Sequence, residues 1–348
     1  MSNKRLIIRL SSLGDVILAT SALSALPPPS QSEETHWVVA REYAGLIKGH
    51  PRLTKVWEFD RSKGGGILAW LSLCEKLWKE GFTEVLDLHS TLRSMMARIY
   101  FLSRAKMSKR EIQWKTISKE RWKLTGLFAA KRFWPESLRP TPLVVRFAKL
   151  AGGTGAERPD LRHLVNAARG IPPELKAWVS AQPEYLCVMP SSKWDGKKWN
   201  VRGFYEVLIK TGVPVIVLGD KSDRESVLLA KLLGQAQFPH FSSIGKLGFG
   251  ELASILAGAR AYFGNDTGLA HLAEAVGTGA ITLFGPTIPE MGFGPWRPES
   301  RAVSLPMWCR PCGKDGRYCF RVKNRYACQS ELKPTLVARE LQGFLTRG

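Results

Sequence analysis

Short strand-like and helix-like segments alternate along most of this 348-residue chain, and they do so in two series. The first series opens with an apolar run at residues 6–10, a turn at 11–14 and an apolar helix that ends before Pro27. The second begins with apolar runs at residues 185–189 and 213–218. Alternating strands and helices predict parallel sheets covered on both faces. We therefore expect an α/β protein with two doubly wound, Rossmann-like sheets.

A glycine- and proline-rich segment at residues 152–173 separates the two series. It places a domain boundary near residues 165–180. Because open parallel sheets bind ligands at the carboxyl ends of their strands, a cleft between the domains is the expected ligand site. The predicted parts are an N-terminal domain, 1–170, a C-terminal domain, 180–330, and a terminal helix, 331–348, that packs back toward the first domain.

The stretch at residues 264–287 carries the most chemical information. It has the pattern of a strand end, a tight turn, a short helix with a glycine stop, and a second strand. A helix start leaves backbone N–H groups unpaired and bears partial positive charge, so Thr267 and Gly268 are suited to an anion. His271 lies one turn further on the same face. From this segment alone, an ordinary capped helix remains the alternative.

Two other polar loops follow predicted strands. Asp15 comes directly after the first strand and its turn, where an Asp serves either as a general base or as a helix cap. Ser191, Ser192 and Lys197 follow the first strand of the second series, and their donors suit phosphate oxygens. A solvated turn is the alternative for this second loop.

Three motifs resemble those of one family. Residues 264–287 resemble the D-T-G-x-x-H-x-x-A-A-x-G…F-G-P-T signature of the lipopolysaccharide heptosyltransferases, glycosyltransferase family 9. Residues 11–16 resemble that family's S-x-G-D motif, and residues 191–199 resemble its hydroxyl pair followed by K-x-W. An extra Lys193–Trp194 pair departs from the last motif and leaves Lys193 and Lys198 as alternatives to Lys197.

The resemblance extends over nearly the whole chain and implies the GT-B fold. In that fold the first domain binds the acceptor and the second binds the nucleotide sugar. It implies a metal-independent, inverting transfer of heptose from ADP-heptose to the lipopolysaccharide inner core, with no cofactor. Residues 284–289 read F-G-P-T-I-P, where the family often has F-G-P-T-D-P, so a different nucleotide-sugar donor remains an alternative.

The resemblance also implies roles for individual residues. Asp15 would be the catalytic base. Nucleoside binding would fall to Asp223, Lys246 and Leu247, although simple helix capping is an alternative for Asp223. The donor's diphosphate and leaving-group side would be bound by Ser191, Ser192, Lys197, Asp266, Thr267, Gly268 and His271.

Three cations of the first domain suit an acidic acceptor. Arg61, Lys63 and Arg93 follow predicted strands and would hold the acidic sugar or phosphate groups of a lipid-linked precursor. Taken singly, each also fits a solvated surface charge.

The chain is strongly basic, with a net charge of +21 and a pI near 9.9, so its partners are expected to be anionic. Residues 101–150 hold thirteen Lys or Arg and only three Glu. The basic aromatic stretch at 104–134 predicts contact with an anionic inner-membrane surface, or else a helix pair whose aromatic residues form core. Nucleic acid is the alternative partner, but we do not expect it, because the aromatics lie in predicted helices rather than in a basic sheet groove.

No run of eighteen apolar residues and no signal-like segment is found, so a cytoplasmic protein at the inner face of the cytoplasmic membrane is expected. Among four C-terminal cysteines, the first two have the CxxC spacing and the last two are nine residues apart. Structural zinc sites usually combine two short spacings. A reduced structural patch is favoured, with a metal site as the alternative. These cysteines are Cys309, Cys312, Cys319 and Cys328.

Overall fold

The structure, a computed structural model, describes residues 3–61, 66–167, 170–313 and 315–346. Over these residues the strands are β1 (Asn3–Ile8), β2 (Glu33–Ala40), β3 (Lys55–Phe59), β4 (Glu84–Asp87), β5 (Gln113–Thr116), β6 (Leu186–Met189), β7 (Val215–Val217), β8 (His240–Ser242), β9 (Ala261–Asn265), β10 (Ala280–Leu283) and β11 (Arg301–Val303). The α-helices are α1 (Leu13–Ala25), α2 (Ala44–Ile47), α3 (Ile67–Lys79), α4 (Leu92–Ser108), α5 (Arg121–Ala130), α6 (Leu143–Leu150), α7 (His163–Ala167), α8 (Pro173–Ser180), α9 (Val201–Thr211), α10 (Arg224–Gln235), α11 (Phe249–Ala257), α12 (Gly268–Val276), α13 (Ala327–Ser330) and α14 (Pro334–Leu345).

The chain divides into two compact units, and each contains one parallel sheet. The first unit comprises residues 1–119 and 143–164, and its strand order is β3-β2-β1-β4-β5. The second comprises residues 120–142 and 165–348, with the order β11-β10-β9-β6-β7-β8. The prediction of two doubly wound parallel sheets is confirmed. Sequence reading missed β5, β8 and β11, because these short strands are only partly buried and hold too few apolar residues to form a run or a period.

The first sheet forms because β1 is apolar on both faces. Leu6, Ile7 and Ile8 are fully buried, as a central parallel strand requires. Helix α1 packs against α6 and buries every residue from Val16 to Leu23, so its apolar sequence serves as core. This packing fixes the start of α1 at the carboxyl end of β1.

The C-terminal helix belongs to the second unit, whereas the sequence prediction directed it toward the first domain. Val337, Ala338 and Leu341 are buried in the same core as Phe204 of α9. The Trp199 indole also donates to the Leu332 carbonyl at 3.0 Å. The apolar face of α14 therefore finds its partner within the second unit.

The segment at residues 120–142 also belongs to the second unit, although it lies within the predicted first domain. Lys131 Nζ donates to the Pro311 carbonyl at 2.7 Å, and Arg139 lies 3.6 Å from the Glu290 carboxylate. The basic aromatic stretch predicted at 104–134 is therefore not one helical surface. Its residues are divided between α4, β5 and α5, and between the two units.

In the described parts of the chain, no helix combines the length and the apolar character that a membrane span needs.

Candidate active site

In the second unit, polar loops meet at the carboxyl ends of β6, β9 and β10. The strands pair so that Met189 lies beside Gly264, and Leu283 beside Asn265. Asn265 is fully buried; its side chain donates to the Pro190 carbonyl at 2.6 Å and accepts from the Trp199 amide at 3.1 Å. The buried amide group thus joins the loop after β6, which carries the predicted Ser191 and Ser192, to the end of β9.

Lys197 and Asp266 form the charged centre of this site. The Lys197 ammonium lies 2.5 Å from the Asp266 carboxylate, which also accepts from the Thr287 hydroxyl at 2.7 Å. Gln329 Nε2 donates to the Lys197 carbonyl at 2.8 Å. Since a carboxylate offers only acceptors, Asp266 is suited to positioning Lys197 rather than to touching phosphate oxygens.

The start of α12 lies beside this pair and is open to a ligand. Thr267 is the N-cap residue, but it makes no side-chain cap hydrogen bond; its hydroxyl lies 3.2 Å from the Tyr262 hydroxyl. The first N–H groups of α12 therefore keep their capacity for an anion, and the helix dipole favours one. A Cβ at Gly264 would lie 2.7 Å from the Met189 carbonyl oxygen, so the close approach of β6 and β9 here requires glycine.

His271 lies on the next turn of α12 and is 94% buried (6% exposed). Its Nδ1 atom has no hydrogen-bond partner among the described residues and lies 3.8 Å from the Glu274 carboxylate. The other oxygen of Glu274 accepts from the amides of Trp296 and Arg297, both at 3.0 Å. His271 thus lies one turn after Thr267 and Gly268, and its Nδ1 atom is free to bond to a ligand.

The alternatives to Lys197 have other contacts. Lys198 binds Glu225 at 2.8 Å and Asp195 at 3.0 Å. Lys193 is exposed, with its ammonium 5.3 Å from the centre of the Trp194 ring. Lys197 is the member of the three that contacts Asp266, and it is the best placed to meet a ligand at α12.

The predicted nucleoside residues lie at the next strands of the same sheet. The Asp223 carboxylate accepts from the Asp220 amide at 2.7 Å. One of its two oxygens is therefore already used in the turn before α10. A hydrogen bond of 2.8 Å from the Gly245 amide to the Gly219 carbonyl joins the loops after β7 and β8. Lys246 is exposed and Leu247 half-buried in the second of these loops. Asp223, Lys246 and Leu247 are therefore on neighbouring loops, along the same edge as the diphosphate candidates.

In the first unit, Asp15 lies in the first turn of α1. Its carboxylate accepts from the amide and hydroxyl of Ser12, at 3.1 and 2.8 Å, and binds the Arg9 guanidinium at 2.6 Å. Ser12, not Asp15, is the N-cap residue of α1; Asp15 is the third helical residue and completes a capping box with Ser12. Burial acts to raise the pKa of Asp15, but the charge of Arg9 and the Ser12 hydrogen bonds outweigh it and hold the pKa below its ordinary value. At neutral pH this carboxylate is ionised.

Sequence reading missed Arg9, which pairs with Asp15, and the buried His89, whose pKa Arg9 influences. Arg9 donates to the Leu88 carbonyl at 2.6 Å and stacks 5.6 Å above Phe147. His89 accepts from the Leu10 amide at 3.4 Å through Nδ1, and burial, with the charge of Arg9, lowers its pKa to about 3. The signal for Arg9 was a single arginine within the apolar run at residues 6–10, since a charge that is buried there needs a partner.

Two of the predicted acceptor cations lie near the carboxyl edge of the first sheet. Arg61, after β3, pairs with Glu42 and lies 5.8 Å from the centre of the Tyr43 ring. Arg93 begins α4, with its guanidinium 5.5 Å from the centre of the Phe59 ring at the end of β3. Lys63 lies outside the described residues.

The segment that carries the C-terminal cysteines supports the site through Arg310 and the backbone of Cys312. All four are free thiols; burial and neighbouring thiols raise the pKa of Cys312 to about 12. No group of three or more potential metal ligands occurs in the part of the chain that the structure describes. The Cys312 amide donates to the Pro286 carbonyl at 3.0 Å, and the Arg310 guanidinium donates to the Thr287 carbonyl at 2.8 Å. The segment thereby holds the loop after β10 in place.

Comparison with known proteins gives consistent likenesses. A glycosyltransferase family 9 protein of Veillonella parvula has a similar structure, with a TM-score of 0.73, 17% identity and coverage of 99% of this chain and 98% of that one. The E. coli heptosyltransferase WaaC, solved with ADP-2-deoxy-2-fluoro heptose, gives a TM-score of 0.64 at 17% identity, with 99% of both chains covered. These likenesses show the GT-B fold, the architecture expected of a nucleotide-sugar glycosyltransferase.

The sequence comparisons define the family. The lipopolysaccharide heptosyltransferase 1 of Pseudomonas aeruginosa is 26% identical over 379 aligned positions, which cover 98% of this chain and 97% of the relative. The sequence model of glycosyltransferase family 9 (heptosyltransferase) matches residues 70–319. The chain therefore belongs to glycosyltransferase family 9.

Proposed function

We propose that this protein transfers heptose from ADP-heptose to the inner core of lipopolysaccharide, on a Kdo-lipid A or heptosylated acceptor. The observation that carries the proposal is the Lys197 ammonium, held by Asp266 beside the open start of α12, because the two supply positive charge and N–H donors for a diphosphate. Family membership and the name of the Pseudomonas relative support the choice of sugar and acceptor.

The proposed reaction is a single displacement. The Asp15 carboxylate takes the proton of the acceptor hydroxyl as its oxygen bonds to the anomeric carbon, and the bond from that carbon to the diphosphate breaks. Negative charge grows on the departing diphosphate, where Lys197 and the N–H groups of α12 stabilise it. Attack from the opposite face inverts the anomeric centre.

The proposal includes catalysis without a metal ion. A metal would neutralise the leaving diphosphate, and the Lys197 ammonium and the α12 dipole are the protein groups suited to the same task. We propose that activity persists in the presence of a chelator. Loss of activity on chelation, restored by one added metal, would contradict this part.

The acceptor side of the proposal rests on cations. Arg61 and Arg93 would bind the acidic sugar or phosphate groups of the acceptor. The net charge of +21 favours binding of the protein to an anionic membrane surface. The proposed location is the cytoplasm, at the inner face of the cytoplasmic membrane.

Nucleotide binding tests the donor. In a thermal unfolding series with ADP, UDP, GDP and their sugar conjugates, we expect ADP compounds to raise the Tm, because a ligand that binds only the folded state stabilises it. Stabilisation by UDP compounds alone would favour the alternative donor that Ile288 leaves open at the end of the F-G-P-T motif.

The pH dependence of transfer tests Asp15 through its partner. Burial raises the pKa of Asp15 and the charge of Arg9 lowers it. The Arg9→Gln variant loses that charge, so its Asp15 pKa should rise, and we expect the acid limb of kcat/KM to move to higher pH. The pair's contribution to folding stability, present above the ordinary carboxyl pKa and lost as the pH falls through the lower folded pKa, should shrink as well.

The control for this shift is Arg5→Gln. Arg5 lies on β1, four residues before Arg9, and pairs with Glu84 at 2.5 Å, so its loss should lower stability without moving the acid limb. An acid limb that stays in place in Arg9→Gln would remove Asp15 from the proton transfer.

A further inference from the structure

One face of α4 is apolar and exposed. Leu92, Met95 and Ile99 are 67%, 52% and 60% exposed, and Leu102 continues the series. These positions recur every three or four residues, so they form one stripe along the helix. The opposite face holds the buried residues Ser94, Ala97, Phe101 and Ala105.

Helix α3 extends this stripe at the carboxyl edge of the first sheet. The Trp70 indole donates to the Arg93 carbonyl at 2.8 Å, which brings together the starts of α3 and α4. Ile67 and Leu68, in the first turn of α3, are 63% and 83% exposed. Since helices that follow parallel strands begin at the strands' carboxyl ends, this apolar end lies at the same edge as Asp15.

The charged residues of α4 beside the stripe are all cations. Residues 92–110 contain six Arg or Lys and neither Asp nor Glu. Arg104 pairs with Glu75 of α3. Arg98, Lys106 and Lys109 have no acidic partner among the residues that the structure describes, so their charge is available to an external anion.

We propose that the exposed faces of α3 and α4 dock this protein on an anionic lipid bilayer, with the apolar stripe in the interface and Arg98, Lys106 and Lys109 on lipid phosphates. An amphipathic helix with cations beside its apolar face binds such surfaces in two ways: its apolar side chains are buried in the interface, and its cations are attracted to the anionic lipids. A second copy of the chain would bring the same cations against each other, which disfavours self-association through this face. The inference rests on the proposed function, because a lipid-linked acceptor requires the first unit to meet the membrane.

Vesicle binding tests the surface. The protein is sedimented with phosphatidylglycerol–phosphatidylcholine vesicles and with phosphatidylcholine vesicles alone. We expect binding to the anionic vesicles only, and a loss of about tenfold or more in the Leu92→Ser/Ile99→Ser variant, since two large apolar side chains leave the interface. Arg98→Gln/Lys106→Gln should weaken binding to anionic vesicles in a salt-dependent way.

The matched control is Val227→Ser/Leu228→Ser on α10, where both side chains are also about half exposed (53% and 47%). It should bind like the wild type. Both serine variants should keep the Tm increase with ADP, so a failed docking surface is distinguished from a failed donor site. Equal vesicle binding by the Leu92→Ser/Ile99→Ser variant would overturn the proposal, as would a dimer that this variant alone converts to monomer.

Discussion

Replacement of Asp15 by alanine is expected to reduce kcat by about 10²- to 10⁴-fold, the range of general-base catalysis, while the Tm increase with ADP persists. The carboxylate is ionised and held by Arg9 and Ser12, whereas the proposed diphosphate residues belong to the other unit. The measurements are steady-state transfer rates and thermal unfolding with and without ADP.

Asp15 also forms a capping box with Ser12 at the start of α1, so the alanine variant should lose about 0.5–2 kcal/mol of folding free energy. Asp15→Asn separates the two roles. Its amide oxygen still accepts from the Ser12 amide, but it cannot take a proton at neutral pH. We expect the asparagine variant to be nearly as inactive as the alanine variant and closer to wild type in stability. Wild-type turnover by Asp15→Asn would show that the base is another group.

Replacement of Lys197 by alanine is the second large effect. We expect kcat to fall by about 10²- to 10³-fold, because the group that meets charge on the leaving diphosphate is lost. The Tm increase with ADP should fall too, since the ground-state diphosphate also loses a cation. The adjacent lysines provide the controls: Lys193 is exposed and Lys198 pairs with Glu225 and Asp195.

Lys193→Ala and Lys198→Ala should keep most of the activity. A loss confined to Lys198→Ala would move the diphosphate role to that residue and away from the pair with Asp266. Circular dichroism of each variant shows whether the fold is retained.

Much of this architecture follows from the sequence. The sequence contains apolar runs at β1 and β9, and each run is followed by a segment with the pattern of a helix. A sheet that is buried on both faces needs such strands. The grouping of Lys197, Asp266 and Thr267 follows from parallel strands, whose carboxyl ends meet at one edge. The sequence alone could not select Lys197 over Lys193 and Lys198. A shift of one residue along the loop would bring a different ammonium to Asp266, so the choice required the three-dimensional structure.

Other features depended on long-range contacts. Arg9 pairs with Asp15 only because the short loop between β1 and α1, residues 9–12, brings the first turn of the helix back to the strand end. The segment at 120–142 joins the second unit through Lys131 and Arg139, whose partners lie over 150 residues away in the sequence. The exposed stripe of α4 has an apolar pattern like a core face, and only the packing of Ala97 and Phe101 against the sheet shows which face is exposed.

Heptose transfer can be measured by incubating the purified protein with ADP-heptose and Kdo-lipid A in the presence of a chelator, and following the acceptor by mass spectrometry. The prediction is an acceptor that gains one heptose, an equal release of ADP, and no product with Asp15→Ala. An unmodified acceptor, with transfer from another nucleotide sugar under the same conditions, would contradict the proposed function.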